Sequence, residues 1–260
     1  MILQPIPAAL RRLLTGMACL ALPALALADD GNAITPYRPS VSSPAQLPAE
    51  GQLEMELGGL RNSSGDARRD SLPYQFKLAF SKEWGVLLGG EAHVSARDIG
   101  VRESGIGDTN LVLKHAWVAD DTNASGLEFG IKLPTAKDTL GSGKADYTLN
   151  LIESSDHGPL HVDINLNATR LGAIDPDTGR AQFGLSASFS MPLAEHWSAT
   201  AELSGTHRHG VANSAQVLAA VSFSPSKRLT FDIGTARAQR PAPGSNLFFA
   251  GVVFPITQLW

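Results

Sequence analysis

The segment His161-Val162-Asp163-Ile164-Asn165-Leu166-Asn167-Ala168 decides the fold. Apolar residues hold every even position and polar residues every odd one. A β-strand sends successive side chains to opposite faces, so this segment has one apolar face and one wet face. The pattern recurs in Leu127-Glu128-Phe129-Gly130-Ile131-Lys132-Leu133, from Gln182 to Phe189 and from Trp197 to Ser204. Helical spacing is absent.

Working outward from these segments gives about twelve strands, at 51–59, 72–80, 84–94, 106–118, 125–134, 144–153, 159–169, 181–191, 196–205, 213–223, 228–236 and 246–257. Each has about ten residues, the length a tilted strand needs to cross the hydrocarbon layer of a membrane. The connections alternate in length. Those expected outside (60–71, 95–105, 135–143, 170–180, 206–212, 237–245) each exceed those expected inside (81–83, 119–124, 154–158, 192–195, 224–227). Membrane barrels show this asymmetry, and a soluble sandwich has no reason to. Trp84, Trp117, Trp197 and Trp260 all fall at the inner rim of such a scheme, with Tyr74, Tyr147, Phe183 and Phe248 near the other. The reading is therefore all-β: a transmembrane antiparallel up-and-down barrel over 51–260.

The N-terminus fits an exported chain. Arg11 and Arg12 precede an apolar run from Leu13 to Ala28, which ends Ala26-Leu27-Ala28 before Asp29-Asp30. That run is short for a membrane helix and carries Pro23, so 1–28 reads as a signal peptide cleaved after Ala28. Cleavage removes Cys19, the only cysteine. Residues 29–50, with Pro36, Pro39, Pro44 and Pro48, read as a disordered periplasmic tail. A net charge of −4 gives no electrostatic support for a nucleic-acid partner. The expected location is the outer membrane of a Gram-negative bacterium.

In lipid every backbone polar group must be paired within the protein, so the sheet has to close. The polar face then encloses the lumen. Its expected lining includes Glu54, Glu56, Lys77, Glu91, His93, Lys114, Glu128, Lys132, Asp146, Asp163, Glu202 and Asp232. Two readings follow. The acid–base lining sets the selectivity of a narrow pore, or it packs as a solvated plug in a structural or ligand-binding barrel. Because acids outnumber bases, the pore reading predicts a preference for neutral or cationic solutes.

Two stretches carry a family resemblance. Ser104-Gly105-Ile106-Gly107-Asp108 opens the fourth strand. Gly130-Ile131-Lys132-Leu133-Pro134-Thr135-Ala136-Lys137-Asp138, followed by Gly141, Gly143 and Asp146, bridges the fifth and sixth. They resemble the GxGD and KLPTG…GxGxxD stretches of the outer-membrane proteins grouped with the phenol meta-pathway transporters, with Ala136 where that family usually has Gly. The resemblance spans roughly 50–260. It implies a barrel that passes small, often aromatic, hydrophobic molecules, and the leading expectation for this chain is a passive channel for such solutes. The last strand, ending Phe254-Pro255-Ile256-Thr257-Gln258-Leu259-Trp260, looks like the C-terminal signal read by the barrel-assembly machinery, although Gln258 departs from the usual apolar residue.

Catalysis has thin support. Glu91, His93 and Ser95 recur at every second residue and so share one face, with types suited to acyl transfer. That face is the lumenal one, away from lipid, and same-face neighbours stand about 7 Å apart, too far for a Ser–His bond. An outer-membrane hydrolase is thus the weakest reading, and no catalytic residue is expected. His207-Arg208-His209 lacks a third metal ligand. No metal, cofactor or enzymatic activity is expected; the partners are outer-membrane lipid and a small-molecule solute.

Overall fold

The computed structural model describes residues 31–240 and 244–260; the expected signal peptide, 1–28, lies outside them. The alternating segments form strands β1 (Gln52–Ser64), β2 (Ala67–Ala79), β3 (Trp84–Asp98), β4 (Val101–Gly105), β5 (Thr109–Val118), β6 (Asn123–Leu133) and β7 (Asp146–His157). They continue with β8 (Leu160–Arg170), β9 (Ala181–Ala194), β10 (Trp197–Arg208), β11 (Ala215–Ser226), β12 (Leu229–Arg240) and β13 (Ser245–Gln258). No helix occurs among the described residues.

Every pairing between strands is antiparallel, and almost every strand pairs with its neighbours in sequence. Strand β1 pairs β13 from Gln52↔Gln258 to Ser63↔Asn246, which joins the two ends of the sheet. Strands β4 and β5 both lie along β3, one above the other, and form a single wall strand interrupted at 106–108. The wall is a closed barrel of twelve strands. Its outer surface is apolar: Leu88, Leu111, Phe129, Leu149, Leu166, Leu185, Leu203 and Ile233 are all exposed. Leu127, Phe129 and Ile131 belong to this outward set.

Two expectations about the wall need correction. The long loops expected at 60–71 and 95–105 are strand instead, closed by the two-residue turns at Gly65-Asp66 and Ile99-Gly100. There the chain leaves the apolar band and both faces become polar. The alternation fades while the hydrogen-bond ladder runs on, so alternation marks the edge of the band and not the end of the strand. Longer loops do stand at this end, at 134–145 and 171–180.

The second correction concerns β3. Leu72 pairs His93 but Pro73 pairs Glu91, which leaves Ala92 as an extra residue in a β-bulge. A bulge places one more residue on one strand and so reverses its parity beyond that point. Glu91 faces inward, His93 stands exposed on the outer face, and Val94 is fully buried inside. His93 is not a lining residue, and Glu91, His93 and Ser95 do not share a face. Ser95 Oγ accepts instead from Arg102 Nε at 3.1 Å, outside the barrel.

Trp84, Trp117, Trp197 and Trp260 are exposed at the end that holds the C-terminus, hereafter the inner end. His115 is held between Trp84 and Trp117, its ring 4.2 and 4.1 Å from theirs.

Candidate functional site

Glu54, Glu56, Lys77, Lys114, Glu128, Asp163, Glu202 and Asp232 point inward from seven different strands and are buried. Charged groups are rarely fully buried without partners. Some partners come from the wall. Lys77 Nζ lies 3.0 Å from Glu54 Oε2 and 2.7 Å from Glu56 Oε1, and Lys114 Nζ lies 3.1 Å from Glu128 Oε1.

The others come from residues 32–49, expected as a disordered tail. This segment instead runs inside the barrel. Ile34 N–H donates to Lys227 O at an inner-end turn. Thr35 and Tyr37 N–H donate to the Glu54 and Glu56 carboxylates at 3.1 and 2.7 Å. Farther in, Val41 and Ser42 N–H both donate to Glu202 Oε2, at 2.8 and 2.9 Å, and Ser43 N–H donates to Asn165 Oδ1. The chain then returns. Ala45 N–H donates to Ser154 Oγ, and Ala45 packs with Ala124 and Ile152. At the inner end Gly51 N–H meets Ala79 O.

The prolines explain this path. Pro36, Pro39, Pro44 and Pro48 supply no N–H and resist sheet pairing, so the segment adds no strand to the wall. Its remaining N–H groups are left to donate to wall carboxylates. Irregular backbone at membrane depth is tolerated when protein surrounds it.

Tyr37 is the centre of the arrangement. The Lys77 and Lys114 ammonium groups lie 4.4 and 4.3 Å from its ring centroid, within the range of cation–π attraction. Its hydroxyl donates to Gln46 O at 2.7 Å, tying the outgoing and returning arms of the segment. The same two ammonium groups donate to the Thr35 and Pro44 carbonyls. Arg38 completes the set through Asp232. Neither Tyr37 nor Arg38 is legible as a site residue from the sequence. The available signal is indirect: six of these eight buried wall charges are acidic and call for donors from elsewhere.

Beyond this segment, toward the loop end, a cavity of about 470 Å³ is lined by Pro73, Leu87, Val112 and Leu140 together with Glu91 and Lys132. A separate apolar cluster, Leu218, Ala220, Ala236 and Phe249 with Leu60 and Leu247 packed on it, also faces inward. The lumen is therefore not uniformly polar.

The two motif stretches meet at this mouth. Lys132 Nζ lies 2.8 Å from Asp146 and 3.3 Å from Asp108. Asp108 Oδ1 accepts Ala136 N–H, and Thr135 Oγ1 donates to Gly107 O, which folds the 134–145 loop over the interruption between β4 and β5. Two of the glycines are close-approach positions. A Cβ on Gly107 would stand 2.4 Å from Glu91 Oε2, and one on Gly141 would stand 2.8 Å from Asp108 Oδ1. Gly143 has φ +63°, while Gly105 packs against Leu140. Leu133 and Pro134 stay exposed on the outer side of the cluster. Glu91, the remaining lining residue at this height, pairs with Arg69 at 2.5 Å.

Several solved outer-membrane channels share this fold. An outer-membrane channel from Pseudomonas putida F1 matches with a TM-score of 0.64 at 12% identity, over 82% of this chain and 98% of its own. The NanC porin matches at 0.59 and 11% identity, over 77% and 98%. The CymD monoaromatic hydrocarbon channel matches at 0.51 and 8%, over 81% and 90%. No protein-family model matches the sequence, and no curated protein does.

Proposed function

We propose that the protein is an outer-membrane channel for small molecules that rests with its lumen closed by its own residues 32–49. One observation carries this reading: the wall is complete without the stopper. Strands β1 and β13 close the barrel directly, and among the described residues the segment takes part in no ladder, the single bridge Glu50↔Ala79 lying just after it. The stopper is held by hydrogen bonds and ion pairs to a polar wall, which water can replace. It can leave without exposing a sheet edge.

The apolar exterior between a tryptophan rim and a charged rim supports insertion in a bilayer. Export through a signal peptide and assembly through the Trp260 strand belong to the same proposal. The solute class rests on the loop-end cavity and on the Leu60–Phe249 patch, which together suit a small solute with an apolar body. This agrees with what the resemblance to the phenol meta-pathway transporters implies. Passage by passive diffusion belongs to the same proposal.

Conductance in planar bilayers tests it. Full-length mature protein should show low, intermittent conductance, and a variant lacking residues 32–49 should conduct steadily. The filled lumen also favours a second reading, a permanently closed structural or ligand-binding barrel. A shortened variant that folds but conducts no better than the full chain would select that reading.

A further inference from the structure

Strands β1 to β4 extend past the apolar band, and their outer face changes character abruptly. Along β2 the outward residues are Leu78, Phe76, Tyr74 and Leu72, then Asp70 and Arg68; along β3 they end His93, Ser95 and Arg97. The neighbouring outward positions bear Arg61 on β1 and Arg102 on β4. Four arginines thus share this face with one carboxylate, Asp70. Arg61 and Arg68 both lie 2.7 Å from it.

The register makes the charge excess pointed. Arg68 sits directly opposite Arg97, and Arg97 directly opposite Arg102. Like charges facing each other across a ladder destabilise a sheet. Two such pairs in succession are relieved when an anion lies across them. Arg97 has no ion pair among the described residues, and Arg102 reaches only the Ser95 hydroxyl. A cavity of about 410 Å³ opens among Arg68, Asp70, Ser95, Arg97 and Arg102.

The height of the row identifies the anion. Leu72 is the last exposed apolar residue on β2, and same-face positions follow at steps of about 7 Å along a tilted strand. Arg68 and Arg97 stand two steps beyond it. The polar layer of a bilayer leaflet begins just past Leu72, and the long arginine side chains reach back toward it. The guanidinium fork matches phosphate oxygens two at a time.

We propose that Arg68, Arg97 and Arg102, with Arg61 beside them, dock the phosphate groups of lipid in the outer leaflet of the membrane. The inference rests on the outer-membrane reading above. It is tested with the full mature protein in detergent, titrated with bisphosphorylated lipid A, with the same lipid dephosphorylated, and with inorganic phosphate, bound lipid being counted by native mass spectrometry. R68Q/R97Q/R102Q should bind the phosphorylated lipid about tenfold more weakly and the dephosphorylated lipid unchanged. A variant altered elsewhere, R170Q/R237Q, should behave as the parent, and R68K/R97K/R102K should restore part of the affinity. Removing facing like charges should leave lipid-free stability unchanged or higher, which a merely structural row would not do.

Equal affinity in parent and R68Q/R97Q/R102Q would overturn the proposal. So would an equal loss for the dephosphorylated lipid, or occupation by inorganic phosphate with no preference for lipid. Should the triple variant lose its heat-modifiable migration on gels, R97Q decides, since Arg97 supports no ion pair. Failure of the underlying reading looks different: the parent itself would then be recovered in the soluble periplasm.

Discussion

The Arg38 guanidinium meets the Asp232 carboxylate two-pronged, Nε to Oδ2 and Nη2 to Oδ1, each at 2.9 Å. The two residues are 194 positions apart, and the pair fastens the stopper to β12 at one of its deepest points. Asp232 is almost wholly shielded and the guanidinium largely so. Substituting Arg38→Gln removes a charge-assisted contact of the kind worth about 1.5–3 kcal/mol. The stopper should then leave the lumen roughly ten- to a hundredfold more often, read as a rise in open probability in planar bilayers. Asp232→Asn should act in the same direction. An unchanged open probability in both would mean that the segment is held elsewhere.

The guanidinium lies over two glycines that pair across β1 and β13, Gly58 and Gly251. A Cβ on Gly251 would stand 2.3 Å from Arg38 Nε, and one on Gly58 would stand 2.7 Å from Nη1. Both glycines therefore form the floor of a socket. Gly251→Ala should displace Arg38 and raise open probability as Arg38→Gln does, although no charge is altered. Double substitution should add little to either change alone, because both act on one contact.

Much of the wall was legible because lipid and lumen impose opposite chemistry on alternate residues. His161–Ala168 carries that record in full. The record lapses in three places, each for a physical reason. At 60–71 the strands rise out of the apolar band, so hydrogen bonding continues where alternation stops. At Ala92 one inserted residue reverses parity, and Glu91-Ala92-His93 contains nothing that marks it. Tyr37 and Arg38 were illegible because their partners come from strands as distant as β12, and composition alone made the proline-rich segment look unstructured.

The bulge makes a prediction of its own. Labelling of single cysteines placed at 93 and 94 should be opposite to simple alternation. His93→Cys should react from the outer face with a membrane-soluble maleimide, and Val94→Cys, fully buried, should react slowly. Ser95→Ala should leave any lipid hydrolysis by the purified protein unaltered, because Ser95 and Glu91 stand on opposite sides of the wall. Rapid labelling at 94 with protection at 93 would remove the bulge from the description.

Deleting residues 32–49 should also change the character of the pore. The buried lining left behind bears Glu54, Glu56, Glu128, Asp163, Glu202 and Asp232 against Lys77 and Lys114, six acids to two bases. The deletion removes Arg38 and the backbone donors that now satisfy Glu54, Glu56 and Glu202. A narrow lumen with this excess should favour cations. Reversal potentials across a tenfold salt gradient should shift toward the cation equilibrium value in the shortened variant, and anion selectivity would contradict the assigned lining.

At the loop end, Lys132 bridges Asp108 and Asp146, and the ion pairs are partly exposed, Lys132 to 23%. Lys132→Met would leave two carboxylates facing one another and would remove one anchor of the 134–145 loop. Solvent screening keeps the stability cost small, about 1 kcal/mol, so the barrel should still form and migrate normally on gels. The loop itself should change more. Its remaining ties include the Asp108–Ala136 and Thr135–Gly107 hydrogen bonds and those from Lys137 Nζ to Ser104 O and from Arg69 Nη1 to Leu140 O, and repulsion between the acids strains the first. Limited proteolysis after Lys137 should accelerate several-fold in Lys132→Met, while an additional Asp108→Asn change, which removes the repulsion, should slow it again. If cleavage is equally slow in all three proteins, the motif residues hold the loop through backbone geometry at Gly107 and Gly141 and not through charge.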